Sequence, residues 1–248
     1  MQTFPETLAQ ALRTDPGGPF VTFYDEAPLT ASGSASAGGE RQELSTTTYA
    51  NWVAKASGLL LDEHGLERGD SIRIDLPTHW LATVFLGAAW NTGLVVTDSD
   101  GSDSSGPDAV VCGPETLPAW ADDAAKRPTL ACSLLPFGVR FADPLPQGVH
   151  DVGIEVWGQP DAFTPWDPPA ADDAATSWAG VETSHADLFG GDGKAVRLLS
   201  TVPPASPAGA ELLASLLTGG GSLVLVTNAT EERLTALAES ERAQPNWS

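Results

Sequence analysis

Apolar positions along the chain follow two patterns, one with the spacing of amphipathic helices and one made of short continuous apolar runs. The first pattern places the apolar side chains of residues 47–63 on one helical face. We predict helices over residues 47–63, 114–126, 208–217 and 230–241. A further helix is predicted to begin after an N-cap at Thr78 and to end at Gly93. Val149, Val152 and Val156 also have helical spacing.

Short apolar runs lie between these helices. We predict that they form strands over residues 71–76, 94–96, 109–112, 129–135, 195–199 and 223–226. Continuous apolar strands that alternate with helices are typical of a parallel sheet covered on both faces. The predicted fold class is therefore α/β, with mostly parallel sheets and helices on both faces.

Three segments interrupt this alternation. Residues 30–41 and 98–107 are almost entirely small and polar, so we expect them to be mobile loops that bury too little apolar area to become ordered. Residues 164–173 are rich in proline and are typical of a linker. We therefore predict a first α/β lobe over 1–163, this Pro-rich linker, and a second, smaller and partial α/β lobe over 174–248.

Composition supports a globular protein with a real core. Hydrophobic residues make up 42% of the 248 positions, and eight tryptophans argue against disorder. No apolar run approaches the roughly 20 residues of a membrane helix, and the amino terminus lacks a basic segment followed by an apolar one. The expectation is a soluble, cytoplasmic protein.

The charge of the chain is strongly acidic. Twelve Lys and Arg face 33 Asp and Glu, which gives a formal net charge of −21. A negative field of this size repels phosphate backbones and anionic lipids, so we predict neither nucleic acid nor membrane as a partner.

No group of residues has the spacing of a known catalytic or metal site. Cys112 and Cys132 lie in apolar runs, which is typical of buried thiols. The four histidines are scattered and no Cys-x-x-Cys pair accompanies them, so a zinc spacing is absent. His185 near Asp187 has no recognisable nucleophile, and His150 beside Asp151 is typical of a helix start.

Glycine-rich stretches do not fit a phosphate loop. Gly190–Lys194 (GGDGK) lacks the earlier glycine of a Walker A loop, where Leu188 stands, and the following Ser or Thr, where Ala195 stands. Gly219–Gly221 has no helix directly after it and is predicted to be a turn. A Gly-x-Ser-x-Gly nucleophile elbow is also absent from the sequence.

An ordered set of segments resembles the adenylate-forming superfamily of acyl-CoA synthetases, peptide-synthetase adenylation domains and luciferases. Residues 46–52 (TTTYANW) are similar to its early T-Y-x-E-L motif, and 65–72 (GLERGDSI) to its G-V-x-x-G-D-R-V turn. Residues 76–96 resemble its L-P-N-S-x-E-W and L-K-A-G-A-V-V-V segments. Residues 198–226 resemble the L-x-T-L-P-L-x-H-x-x-G run, the helix after it and L-x-x-G-x-x-V-V-L. The resemblance implies the fold of the N-terminal subdomains of these enzymes.

The chain departs from that family at the ATP-binding loop. The family holds ATP with a Ser/Thr/Gly-rich loop ending in Pro-Lys-Gly, and Gly180–His185 resembles the strand after it. Counting back places Ala179 at the lysine position and Trp178 at the proline position, and only residues 174–177 remain before them. The loop is therefore predicted to be missing, and with it the groups that neutralise triphosphate charge.

Two further departures concern the acyl pocket and the later motifs. Ser206 stands where the family often has His or an aromatic residue. The motifs that contact adenine, ribose and metal, and the C-terminal domain with the catalytic lysine, would lie beyond Ser248. The chain thus resembles the first half of such an enzyme, most closely short, truncated relatives from actinobacteria.

These observations favour a non-catalytic relative of the AMP-binding enzymes, a pseudoenzyme that acts as a binding or scaffold protein. We assign no catalytic, cofactor-binding or metal-binding residues and predict no cofactor. The alternative is an acyl-adenylate-forming ligase, of the AMP-forming acid–thiol type, that is weak or needs a partner chain.

The expected partner is an unknown protein or a second copy in a weak homodimer, with a small acyl ligand as a third alternative. In longer relatives, later elements would cover part of this chain. We therefore expect apolar surface at residues 222–241, with Trp247 close by, which is covered either in a twofold dimer or by a short rearranged chain end that seals the edge.

Overall fold

The computed structural model describes residues 2–27, 39–100 and 106–246, and its strands form two sheets. Sheet A has five strands, in the spatial order β12 (Gln244–Asn246), β10 (Arg197–Ser200), β11 (Ser222–Thr227), β1 (Pro19–Asp25) and β2 (Glu40–Ser45). Sheet B has seven, in the order β7 (Val149–Asp151), β6 (Thr129–Ala131), β5 (Ala109–Cys112), β3 (Ser71–Asp75), β4 (Val95–Thr97), β8 (Ala174–Trp178) and β9 (Val181–Ser184).

Most strand pairs are parallel, and helices flank the sheets. Among the strands of the described residues, only β1–β2 and β8–β9 pair antiparallel. The helices are α1 (Phe4–Thr14), α2 (Thr46–Gly58), α3 (Trp80–Thr92), α4 (Leu117–Trp120), α5 (Val152–Glu155), α6 (His185–Phe189), α7 (Pro207–Gly219) and α8 (Glu231–Glu241). The predicted α/β class with mostly parallel sheets is confirmed.

Helix α3 forms the centre of the molecule. Every residue from Trp80 to Thr92 is buried, and the helix contacts β1 of sheet A as well as β3 and β4 of sheet B. Two of its polar side chains find partners inside the core: Trp90 Nε1 donates to the Ala175 carbonyl (3.2 Å), and Asn91 Nδ2 to Ser57 Oγ (3.0 Å), whereas the buried Trp80 Nε1 has no partner among the described residues. A helix that is apolar on all sides belongs between two layers, which explains why its sequence shows little amphipathic contrast.

The two sheets are not divided at the Pro-rich segment 164–173. Sheet A combines β1 and β2 with β10–β12, and sheet B takes β8 and β9 from the residues after that segment. The segment itself is tied down by Arg68, which donates to both carboxylate oxygens of Asp173 (2.7 and 2.9 Å) and to Asp167 (2.9 Å). The predicted boundaries 1–163 and 174–248 therefore do not coincide with the boundary between the sheets.

Most predicted elements are present, with corrections at their ends. The N-cap of α3 is His79, whose Nδ1 accepts from the Leu81 N–H (3.2 Å), and not Thr78. Gly93 ends that helix in the left-handed region (φ 75°), as predicted, because a residue without Cβ adopts this conformation without strain. Val149 lies in strand β7 and not on a helix, since it pairs with Thr129 of the neighbouring strand.

The predicted helix over 114–126 is much shorter. Only α4 forms, followed by one 3₁₀ turn at Ala121–Asp123. Trp120 is the anchor, because its side chain is buried and its Nε1 donates to Asp75 (2.7 Å). The 3₁₀ turn buries no residue, so tertiary packing gives the chain no reason to continue the helix.

The predicted loops lie partly outside the described residues. This applies to 30–38 and to 101–105, and Trp247 lies outside them as well. Glu40 and Arg41, predicted to belong to the first loop, begin strand β2 and pair with β1.

The expected apolar surface at 222–241 is not observed. Leu234 and Leu237 of α8 and Leu225 of β11 are buried, and β12 pairs with β10 at the edge of sheet A. Strand β12 is thus the edge strand of sheet A, beside β10. No helix among the described residues has the length and apolar character needed to cross a membrane.

Candidate functional site

A tight hairpin occupies the position that the resemblance gives to the ATP loop. Strands β8 and β9 pair up to Trp178 and Val181, which leaves only Ala179 and Gly180 between them. Both have positive φ (50° and 77°), as in a two-residue hairpin turn of type I′. A two-residue turn has no length to wrap around a triphosphate.

An acidic side chain already holds this turn. The Ala179 N–H donates to both carboxylate oxygens of Asp98, which lies 81 residues earlier (3.0 and 3.1 Å). Arg73 of β3 donates in turn to the Asp98 carbonyl (2.6 Å) and to Asp75 (3.2 Å). The backbone donor and the arginine of this region are therefore engaged with groups of the protein.

The Gly190–Lys194 stretch is a turn, as the sequence predicts. Its end is held by the Lys194 N–H, which donates to the Ser215 carbonyl near the end of α7 (2.8 Å). Gly193 lies against the backbone of Gly219 so closely that a Cβ there would clash. These backbone contacts fix the end of the stretch against the end of α7.

His185 and Asp187 do not form a catalytic pair. His185 is fully buried, and its Nδ1 accepts from the Phe4 N–H (3.4 Å). Burial lowers its pKa to about 4. Asp187 instead accepts from the Ser184 hydroxyl at the start of α6 (2.7 Å). The two cysteines are also unreactive, because burial raises the pKa of Cys112 to about 12 and raises that of Cys132 as well.

A second buried histidine lies between the sheets. His79 packs edge-on against Phe23 of β1 and beside Trp80, and only 4% of it is exposed. Its Nε2 has no hydrogen-bond partner within the described part of the chain. Burial lowers its pKa to about 4, so the ring is neutral.

One group of side chains was not found from the sequence. His64, directly after the π-helical turn Leu59–Glu63 that follows α2, meets His150 of β7 and Glu155 of α5. His64 Nε2 lies 3.0 Å from Glu155 Oε2, and His150 Nδ1 lies 2.9 Å from Glu155 Oε1. Burial, and then the charge of His150, lower the pKa of His64. His64 lies 86 residues before His150, and Glu155 lies 5 residues after it. No local sequence pattern marks these three residues as a group, because only the fold brings them together.

Besides a cavity of about 510 Å³ lined by residues between 140 and 155, the described surface contains two further cavities of ligand size. One, of about 380 Å³, lies at the amino ends of β1, β10 and β11, whereas open α/β sheets bind ligands at the carboxyl ends. The other is a groove of about 570 Å³ between α1, α2 and residues 161–168. Its lining is mainly apolar and includes Leu8, Leu12, Val53, Phe163 and Pro165.

Comparison with solved structures identifies the fold. Coronafacic acid ligase from Pectobacterium brasiliense matches 98% of this chain with a TM-score of 0.72 and 15% identity, over 49% of its own length. An acyl-CoA synthetase from Brucella canis matches 98% of this chain with a TM-score of 0.72 and 14% identity, over 51% of its own length. A fatty acyl CoA synthetase from Mycobacterium tuberculosis matches 97% of this chain with a TM-score of 0.68 and 14% identity, over 48% of its own length. The chain spans about half the length of these proteins.

Comparison with known sequences identifies the family. No protein-family model matches the chain. A TIGR03089 family protein from Mycobacterium tuberculosis is 36% identical over 242 residues, which cover 91% of this chain and 92% of that protein. By this identity and coverage the chain belongs to the TIGR03089 family, and its fold is that of the N-terminal part of the adenylate-forming acyl-CoA synthetases and ligases.

Proposed function

We propose that this chain is a non-catalytic binding protein of the AMP-binding superfamily and does not form acyl-adenylates by itself. The observation that carries the proposal is the hairpin β8–β9, whose two-residue turn stands where the family has its ATP loop. A phosphate loop works by directing several backbone N–H groups and a lysine at the phosphates. Here the turn is short, the lysine position is Ala179, and its N–H is bonded to Asp98.

Electrostatics support the same proposal. Adenylation concentrates negative charge on the phosphates in the transition state, and catalysis depends on preorganised positive groups. A triphosphate at this turn would meet the Asp98 carboxylate on a chain with net charge −21. Arg73, the cation beside it, already donates to Asp98 and Asp75.

The groove between α1 and α2 is the binding site that we propose. Its volume of about 570 Å³ lies within the range of small-molecule sites, and its mainly apolar lining suits the chain of an acyl group. The Asn51 side chain, also on the lining, supplies a polar group that can orient the other end of such a ligand.

Pyrophosphate exchange tests the absence of adenylation. The protein is incubated with ATP, Mg²⁺ and a panel of fatty, aryl and amino acids, beside a full-length acyl-CoA synthetase of the same fold as positive control. We expect no exchange above background and no change in melting temperature with ATP–Mg²⁺. Exchange with any acid would contradict the proposal and favour the alternative, a weak acyl-adenylate-forming ligase.

Native mass spectrometry tests the groove. Protein purified from its own host, and protein titrated with the same fatty and aryl acids, should carry one small ligand per chain. Ala9→Trp places an indole in the groove and should remove that ligand. Ala236→Trp, on the exposed face of α8, is the matched control and should retain it. Equal ligand occupancy in both variants would rule out the groove as the site.

A further inference from the structure

Two imidazoles and one carboxylate converge from three separate elements. His64 follows a π-helical turn at Leu59–Glu63, His150 lies in β7, and Glu155 ends α5. The Glu155 carboxylate bridges the two rings, with oxygen-to-nitrogen distances of 3.0 and 2.9 Å. One ligand atom from each of the three residues lies within 4.8 Å of the other two.

This donor set is the one that divalent transition metals prefer. Two histidine nitrogens and one carboxylate oxygen bind Zn²⁺ in sites with one open coordination position, and the same set suits Fe²⁺. Bond lengths of about 2.0–2.2 Å place the ligand atoms of a tetrahedral centre roughly 3.3 Å apart. The nitrogen-to-oxygen separations of 3.0 and 2.9 Å are shorter than this and involve different oxygens of Glu155, so the Glu155 carboxylate must move outward to admit an ion.

We propose that His64, His150 and Glu155 form a binding site for one divalent transition-metal ion of the Zn²⁺ type, with the fourth position held by water or an external ligand. The site uses no residue of the hairpin or of the groove, so it stands independently of the proposed function.

Burial and charge favour this assignment. The His64 side chain is only 5% exposed and its ring packs edge-on against that of His150 (centroids 4.3 Å apart), whereas His150 is 38% exposed and gives an ion access from solvent. Glu63, directly before His64, adds negative charge, and the net charge of −21 raises the local concentration of cations. π-helical turns such as the one before His64 are frequent at functional sites.

The alternative is an ion-paired contact that only joins β7 and α5 to α2. A metal site and an ion-paired contact predict different responses of the purified protein to Zn²⁺ and Co²⁺. We expect saturable binding of one Zn²⁺ per chain in calorimetry and native mass spectrometry. Co²⁺ should give the intense visible absorption of a complex with four or five ligands, and excess Zn²⁺ should remove it.

Variants assign the binding to these residues. His64→Gln, His150→Gln and Glu155→Gln should each weaken Zn²⁺ binding at least ~10-fold and remove the Co²⁺ absorption. Glu239→Gln, which makes the same charge change on an exposed part of α8, should bind as the wild type does. His150→Gln is the informative variant if burial makes the His64 variant unfold, because His150 is partly exposed at an edge strand.

Two results overturn the proposal. One is the lack of saturable Zn²⁺ binding in the wild type with a normal circular dichroism spectrum. The other is unchanged 1:1 binding in folded His150→Gln and Glu155→Gln proteins, which would place the ion elsewhere.

Discussion

At the scale of single residues, the most informative side chains are the buried histidines. His79 and His185 are neutral in the fold, and burial lowers the pKa of each to about 4 from an ordinary value of 6.5. Each ring has one nitrogen, Nε2, without a hydrogen-bond partner in the described residues. Protonation of either ring would put an uncompensated charge in the core, so the folded state resists it.

This gives stability a dependence on pH. Below pH 6.5 the unfolded chain binds protons at these rings and the folded chain does not, so the free energy of unfolding falls as the pH drops from 6.5 towards 4. For His79 the loss between pH 7 and pH 5 is about 2 kcal/mol. His79→Asn keeps an acceptor for the Leu81 N–H but has no titrating ring. The variant should therefore lack the part of the fall in unfolding free energy between pH 7 and pH 5 that is due to His79.

Urea unfolding at pH 7 and pH 5 measures the effect. His79→Asn lowers stability at pH 7 because ring contacts are lost, so the difference between the two pH values is the quantity to compare. Phe23→Leu disturbs the same packing without removing a titrating group and should keep the full difference. An unchanged difference in His79→Asn would show that His79 is not a source of acid instability.

At the scale of elements, a polar network fastens α8 and the end of the chain to sheet A. Glu241, the last residue of α8, accepts from Arg197 of β10, from Tyr24 of β1 and from Arg41 of β2. Arg197 also donates to Thr22 (2.9 Å). Burial alone would raise the pKa of Glu241, but hydrogen bonds from Tyr24 and Arg197 outweigh it and lower that pKa.

Removing the charge of Glu241 should loosen this end of the molecule. Glu241→Gln leaves Arg197, whose side chain is 17% exposed, without its counter-charge, and should cost about 2–3 kcal/mol of stability. Glu239→Gln lies in the same helical turn but is exposed, and should change stability by less than about 0.5 kcal/mol. Urea unfolding gives the free energies, and amide hydrogen exchange over 231–246 should accelerate only in the first variant. Equal stability of the two variants would contradict the role of the network.

At the scale of the whole molecule, the apolar surface lies away from the place where the sequence suggested it. Leu135, Val139, Ile154 and Trp157 are each more than two-fifths exposed, and the backbone of Val139 lies against Gly153 at the start of α5. We call these four residues the apolar rim. Ile154 and Trp157 lie in the elements directly after β7, an edge strand of sheet B, and exposed apolar side chains next to sheet edges are common at sites of association.

We expect a weak twofold dimer through the apolar rim. Because each copy carries −21 charges, lower salt should weaken the dimer as screening falls. Light scattering over a concentration series measures the mass. Trp157→Ser should abolish association, while Trp166→Ser, at a fully exposed tryptophan outside the rim, should not. A monomeric mass of the wild type at high concentration and moderate salt would exclude the dimer.

The elements of this protein were largely predictable because their signals are local. Strands β5 and β11 are short apolar runs and β3 alternates apolar with polar residues, while Gly65 and Gly93 stop the helices before β3 and β4 with positive φ. Helix α1 and strand β1 were missed although Thr3, Pro5 and Glu6 form a helix start, with the Thr3 N–H donating to the Glu6 carboxylate (2.9 Å). The ordered motifs also indicated the fold that this chain shares with the solved acyl-CoA synthetases, and the missing loop before Gly180, where the structure has a two-residue turn.

The arrangement of those elements was decided by tertiary structure alone. The strand order joins β1 to β11 and β4 to β8, so sheets and candidate sites combine residues far apart in sequence. Asp98 reaches the Ala179 turn, and His64 meets His150 and Glu155, only because neighbouring strands and helices pack together. Periodicity reports which side of an element is buried, whereas such contacts depend on which elements become neighbours. That choice is made by the packing of the whole core around α3.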